Sequence, residues 1–178
     1  TDATRPTVEL RFDGVSAQAL PGANPALLNR LRDAASIMLA ADALGAGWAM
    51  IEQSVAYARD RRQFGRPIGS FQAVKHLCAE MLETAEAVTA AAWDAAAAAD
   101  GTGPDAEAQW AFACDVAEAT CFDGAVEVAK TCIQVLGGIG FTFEHDAHLY
   151  LRRALSLRAA HARPDAAAER ELLQITGE

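Results

Sequence analysis

Residues 57–72 read YARDRRQFGRPIGSFQ, and this stretch decides how the rest of the chain is organised. Two long alanine-rich helical patterns meet here, joined by a short segment dense in arginine, glycine and aromatic residues. Arg59, Arg61, Arg62 and Arg66 stand close together in a chain whose formal net charge is −9. Gly65, Pro67 and Gly69 forbid a continuous helix, so the guanidinium groups are presented on a bend rather than along a face. Two readings are open. Arginines at a helix C-terminus complement the helix dipole and sit in water. Alternatively they hold an anion, while the interleaved Gln63, Phe64, Phe71 and Gln72 hydrogen-bond or stack on a flat ligand.

Outward from the bend, the apolar periodicity predicts long helices. Asn24-Pro25 is a start signal, an Asn cap followed by Pro at the first helical position. Leu27, Leu28, Leu31, Ala35, Met38, Ala41, Leu44, Trp48, Ile51 and Val55 then recur at helical spacing to about Asp60, a span of ~55 Å at 1.5 Å per residue. A second helix is predicted from Ser70, whose hydroxyl is a candidate cap, to about Asp100. A third runs from Asp105 to Leu136. Long helices with short connections give an all-α, antiparallel (up-down) four-helix-bundle-like fold. QVLGGIGFTF (134–143) breaks the pattern with three glycines. Residues 144–158 form a shorter helix or a pair of turns, and 165–175 a final helix capped by Asp165.

Thr7–Phe12 alternates as a strand and is followed by an Asp13-Gly14 turn signal. A lone strand cannot satisfy its own backbone groups, so it needs another chain, another domain, or only a frayed loop's solvation. Residues 1–22 are therefore assigned as the remnant of a β-domain with its linker, and 23–178 as the helical domain.

At 178 residues the chain suffices for one buried domain. Hydrophobic residues make up 52% and aromatics only 7%, a composition that favours close-packed helices. A pI of about 4.9 argues against a general nucleic-acid surface but not against a local anion pocket. Cys78, Cys114, Cys121 and Cys132 form no C-x-x-C pair and are read as reduced core thiols. Neither a signal peptide nor an apolar run of ~18 residues is evident, which leads to the expectation of a soluble, cytoplasmic protein.

Taken with the long third helix and QVLGGIGFTFEHDAHLYLRRA (134–154), YARDRRQFGRPIGSFQ resembles the C-terminal helical domain of the acyl-CoA dehydrogenase family of flavoproteins. PTVELRFDGV (6–15) resembles the last strand of that family's middle β-domain. The resemblance implies a domain that dimerises and holds FAD across the interface, and α,β-dehydrogenation of an acyl-CoA thioester. By analogy Arg61 and Gln63 reach the FAD pyrophosphate of a neighbouring subunit, and Phe64 and Gln72 lie beside its adenosine part. Gln134, Gly137 and Gly138 also approach that FAD. The chemistry agrees: a guanidinium suits a diphosphate, and glycine permits close backbone approach. The bland alternative for Gly137-Gly138 is a helix C-cap.

The catalytic position departs from the family pattern. In the commonest branch a glutamate follows the GG motif, and the matching position here is His161. In another branch the base comes from the first long helix, at the position of Ala35; Asp33 is near but has the shorter reach. The substrate-orienting arginine of some members aligns with Ser36, and the Arg-Asp pair after the GG motif has become Arg152-Arg153. His161 is either an atypical base or a solvent-facing loop histidine. His145 and His148 suggest an exposed polar helix face more than a metal site, because no third ligand is evident. Retained FAD contacts with a missing base resemble the base-lacking subunit of heteromeric acyl-CoA dehydrogenases of steroid side-chain degradation. The resemblance then implies an oligomer, dimer or tetramer, in which a partner chain supplies the glutamate. The alternatives are a self-sufficient homomeric enzyme with an atypical base, and a non-catalytic helical assembly domain.

Overall fold

In the computed structural model of the chain, residues 2–6 and 8–161 are described, apart from the side chains of 160 and 161. Among these residues, four helices carry the structure: α1 (Pro25–Asp60), α2 (Gln72–Ala98), α3 (Ala106–Leu136) and α4 (Ala147–His161). Between α1 and α2 lies a hairpin of two-residue strands, β1 (Arg62–Gln63) and β2 (Arg66–Pro67), then a 3₁₀ turn at Ile68–Ser70. A second 3₁₀ turn, Gly137–Phe141, follows α3 directly.

The core settles the direction of each helix. Ala40 and Ala43 of α1 share one cluster with Val88 and Ala95 of α2, Trp110 and Ala117 of α3, and Ala154 and Leu157 of α4. A second cluster joins Met50 and Ile51 to Met81, to Val128 and Leu136, and to Ala147. Late α1 therefore meets early α2, late α3 and early α4, which is the expected up-down order. Small side chains let the axes approach closely: a Cβ on Gly124 of α3 would lie 2.5 Å from Val88 Cγ2 of α2. α3 packs on all three other helices, whereas α2 and α4 flank the α1–α3 pair from opposite sides.

Asn24 caps α1 as the sequence predicts, its side-chain oxygen accepting from the Leu27 amide at 2.9 Å. The predicted Ser70 cap is not made. Ser70 Oγ instead donates to the Pro67 carbonyl at 2.7 Å, and α2 begins one residue beyond Phe71 with no side-chain cap. The remnant strand is also corrected. Residues 8–12 carry no strand pairing, and Val8, Leu10 and Phe12 are exposed, because no neighbouring strand edge exists among the described residues. The helix expected over 165–175 lies outside the described residues.

α1 contains a window with mean hydropathy 1.5 that is long and apolar enough to cross a bilayer. The window contains the charged Asp42, so an uninterrupted apolar run of ~18 residues is still not present in α1. The same helix supplies Ala40, Ala43, Met50 and Ile51 to the bundle interior, which gives its apolar face a use within the fold.

Candidate functional site

The hairpin explains how the arginine-rich bend is held. Arg62 pairs with Pro67 and Gln63 with Arg66, so Phe64-Gly65 forms a two-residue turn. Both turn residues have positive φ, 51° at Phe64 and 78° at Gly65, the twist that matches a tight hairpin. Gly65 adopts it at little cost, but Phe64 is held there against its preference. Phe64 is 91% exposed, and its ring meets Phe71 edge-on at 6.1 Å. The Arg66 guanidinium lies 4.1 Å over the other ring, that of Phe71, a cation–π stack. The bend is fastened to α1 by Ile68 N–H donating to Arg61 O at 2.8 Å. Gly69 packs so tightly that an added Cβ would lie 2.9 Å from the Ala58 carbonyl oxygen.

Arg61 and Gln63 are exposed. Arg61 makes no ion pair among the described residues. Gln63 Nε2 donates to Arg62 O at 2.8 Å, and Gln72 Nε2 lies 3.4 Å from His76 Nε2. The uncapped start of α2 adds unsatisfied backbone N–H groups beside these side chains, the positive end of a helix dipole. Together they form an anion-receptive surface.

Gln134, Gly137 and Gly138 occupy the end of α3. In the up-down order this is the same end of the bundle as the bend. Gln134 is exposed. Gly137 has φ 64°, and its amide donates to the carbonyls of Gln134 and Ile133, so the bland C-cap role is real. A Cβ at Gly137 or Gly138 would meet nothing within 4 Å. Space for a close-lying ligand is therefore present beside both. The residues fit FAD on three counts: an unpaired guanidinium, an uncapped helix N-terminus, and open glycine backbone at one end of the fold.

The positions expected to hold a base lie elsewhere. Ala35 is exposed on α1, roughly 37 Å along the helix from Asp60 at 1.5 Å per residue. His161 is the last residue of α4, whose second half packs toward early α1 through Ala154 and Leu157. Both positions thus face the end opposite the bend. Ser36 is buried, and its hydroxyl donates to the Glu118 carboxylate of α3. Cys114 lies in the same acidic surroundings. Burial, then Asp33, Asp115 and Glu118, push its thiol up to about 12.

His145 and His148 serve the turn into α4. The Ala147 amide donates to His145 Nδ1 at 3.1 Å, His148 Nδ1 donates to His145 O at 2.8 Å, and the Phe143 ring meets the His148 ring edge-on, with centroids 4.8 Å apart. Sequence reasoning missed the role of Arg153. Its Nε donates to Asp42 of α1 at 2.9 Å and its Nη1 to Asp2 at 3.1 Å. A charged Asp42 interrupting the apolar pattern of α1 was the available signal.

The comparisons with known proteins come down on one family. The profile of the acyl-CoA dehydrogenase C-terminal domain matches residues 28–161. Acyl-CoA dehydrogenase FadE34 of Mycobacterium tuberculosis is 57% identical over 126 residues, covering 70% of this chain and 17% of that protein. Acyl-CoA dehydrogenase IpdE2 of Mycolicibacterium smegmatis is 38% identical over 140 residues, 78% of this chain and 42% of the relative. The chain thus spans less than half the length of these relatives. Among solved structures, the variant Tcur3481-Tcur3483 steroid ACAD superposes with a TM-score of 0.76 at 30% identity, over 86% of this chain and 41% of that one. Glutaryl-CoA dehydrogenase from Mycobacterium smegmatis gives 0.77 at 25% identity, over 89% and 40%. On the matched profile and the bundle that carries it, this chain belongs to the acyl-CoA dehydrogenase family, as its C-terminal helical domain.

Proposed function

We propose that this chain is part of an FAD-dependent acyl-CoA dehydrogenase and that it grips the flavin for chemistry completed by a base on a partner subunit. The observation that carries the proposal is the unpaired Arg61 beside the uncapped start of α2, at the end of the fold where Gly137 and Gly138 leave open space. Arg61 and Gln63 would bind the pyrophosphate, Phe64 and Gln72 the adenosine side, and Gln134 with the two glycines the adjoining edge. FAD, when bound, supplies the hydride acceptor. The acyl-CoA α-proton needs a carboxylate base with a pKa suited to the task. Neither expected position holds one, since Ala35 and His161 stand there. A glutamate from an unlike partner meets that need, and the paired designation of the steroid ACAD relative fits such an assembly. Domain limits at 1–22 and 23–178, and a cytoplasmic location, belong to the same reading.

The test is to purify the full-length protein alone and with its candidate partner, then record the flavin spectrum and acyl-CoA-dependent dye reduction. Activity is expected only with the partner. Arg61→Ala should release flavin, whereas His161→Ala should leave turnover nearly unchanged. Yellow, active protein from this chain alone would refute the partner-base reading. A large fall in turnover with His161→Ala would favour the homomeric alternative, and a colourless, inactive complex a non-catalytic assembly domain.

A further inference from the structure

The seam between α2 and α3 brings two of the thiols together at the bend end of the bundle. Two contacts fix its antiparallel register. Cys121 Sγ of α3 donates to the Val88 carbonyl of α2 at 3.5 Å, and a Cβ on Gly124 would lie 2.5 Å from Val88 Cγ2 and 3.3 Å from Thr84 Cγ2. Cys78 stands ten positions before Val88, and Cys132 eleven positions after Cys121. At 1.5 Å per residue these are rises of about 15 and 16.5 Å, so the two cysteines are level along the seam. Each is also seven positions from a buried alanine of its own helix, Ala85 or Ala125, which places it two turns along the same interior face. The small residues Ala85, Gly124, Ala125 and Ala129 keep the helices close, as a disulfide requires, since its Cα atoms stand within about 7 Å.

Two further observations give this pair a chemistry. Ser54 of α1 is fully buried, and its hydroxyl has no partner in hydrogen-bond geometry among the described residues. A buried donor left unmade is costly, and this one lies beside Cys132. Burial raises the Cys132 thiol, the Ser54 hydroxyl acts against that by favouring the thiolate, and the nearby Cys78 raises it again. The second observation is a groove of about 500 Å³ between late α1 and early α2, lined by Cys78 itself. Val55, Ala58, Pro67 and Val74 give it apolar walls, and the exposed Arg59 and Lys75 line it with positive charge. Neither cation makes an ion pair among the described residues. Cys78 is half-exposed there, whereas Cys132 is buried behind it.

We propose that Cys78 and Cys132 form a thiol–disulfide exchange site, entered through the Arg59/Lys75 groove and oxidised by a small anionic disulfide. The Cys78 thiolate attacks one sulfur of the disulfide RSSR, forming a mixed disulfide and expelling RS⁻. The Cys132 thiolate, held by the Ser54 hydroxyl, then attacks the Cys78 sulfur. The Cys78–Cys132 bond closes and the second RS⁻ leaves. The two cysteine protons pass to solvent or to the two RS⁻ ions, so two protein thiols are oxidised as one disulfide is reduced to two thiols. Arg59 and Lys75 draw the anionic reagent to the exposed sulfur, and Cys132 needs no access of its own because it reacts only with Cys78.

The proposal does not depend on the flavin reading, and its test needs no turnover. The full-length protein is incubated folded with oxidised glutathione at pH 8, free thiols are then alkylated, and the digest is mapped by mass spectrometry. Wild type is expected to yield a linked peptide joining Cys78 to Cys132, lost on treatment with dithiothreitol. Cys132→Ser should accumulate glutathione on Cys78, and Cys78→Ser should take up none and keep Cys132 reduced. Circular dichroism checks each variant. Cys132→Ala repeats the trapping experiment if the buried hydroxyl of Cys132→Ser costs the fold. Ser54→Ala should form the mixed disulfide at the wild-type rate but resolve it roughly threefold to tenfold more slowly. Arg59→Gln with Lys75→Gln should slow the reaction with oxidised glutathione and not with uncharged 2-hydroxyethyl disulfide. Glutathione that stays on Cys78 of wild type while Cys132 remains reduced would overturn the proposal. So would a folded wild type that takes up no glutathione, or a Cys78→Ser protein modified as fast as wild type. Equal slowing with both reagents would remove the assigned role of the two cations.

Discussion

Gly69→Ala tests the reasoning that ties the bend to α1. A Cβ at this position would lie 2.9 Å from the carbonyl oxygen of Ala58, 3.3 Å from its carbonyl carbon and 3.4 Å from its Cβ. All three atoms belong to one residue, and Ala58 is only 4% exposed in the closing turns of a 36-residue helix. Nothing flexible can swing aside, so the bend must lift by about half an ångström to restore ordinary contact. Lifting it strains the 2.8 Å bond from Ile68 N–H to Arg61 O, and with it the position of the Arg61 backbone. Gly69 lies in a 3₁₀ turn rather than an α-helix, so little gain in helix propensity offsets the clash. Overpacking of this kind costs about 1–3 kcal/mol. For a unit of this size each kcal/mol moves Tm by about 2–4 °C, giving an expected fall of roughly 2–12 °C. Thermal unfolding followed by circular dichroism measures it, with flavin fluorescence recorded in the same scan. Gly65→Ala is the comparison, since space there is open but φ is +78°. It should cost about 1–2 kcal/mol through backbone conformation alone. A Gly69→Ala protein that melts with wild type and retains its flavin would refute the account.

Three other expectations follow from the bundle. Burial raises all four thiols, Cys121 to about 11 and Cys114 to about 12, and only Cys78 is half-exposed. A thiol reagent at pH 8 should therefore titrate Cys78 first and the other three only on unfolding; rapid reaction of a second thiol in the folded protein would contradict the burial pattern. At Asp2, burial alone would raise the carboxyl. Hydrogen bonds from the Thr4 side chain and amide, together with Arg153, outweigh it and hold the group below 3.8. A depressed folded value means that its stabilisation is complete well above pH 3.8 and fades as pH falls through the folded value. Amide exchange at Thr4, corrected for intrinsic rates, should be slower at pH 6 than at pH 3, and Arg153→Met should reduce that difference. Gly124→Ala sets a helix gain of about 1 kcal/mol against the 2.5 Å approach to Val88 Cγ2. The stiff Val makes the clash dominate, so Tm should fall, and adding Val88→Ala should leave the double mutant no worse than Val88→Ala alone. Loss of stability that simply adds would disprove the contact.

How far the sequence was legible depended on the range of the interactions. The cap at Asn24, the break at residues 61–70 and the glycine break after Leu136 are local, and each appeared where the residues indicated. Ser70 failed as a cap because its hydroxyl found the Pro67 carbonyl within a 3₁₀ turn, a competition between neighbours that composition does not rank. Residues 8–12 alternated as a strand should, yet pairing needs a second edge that lies elsewhere in space.

The sequence by itself determined helix positions, the bundle class and the residue types able to grip a diphosphate, because periodicity, capping and side-chain chemistry are properties of short segments. Only the tertiary structure decided which ends of those helices meet. It set the arginine bend at the same end of the bundle as the open glycines, put Ala35 and the end of α4 toward the opposite end, and joined Arg153 to Asp42 across 111 positions of chain. Those relations depend on interhelical packing around α3, and packing is fixed by three-dimensional complementarity rather than by spacing along the chain.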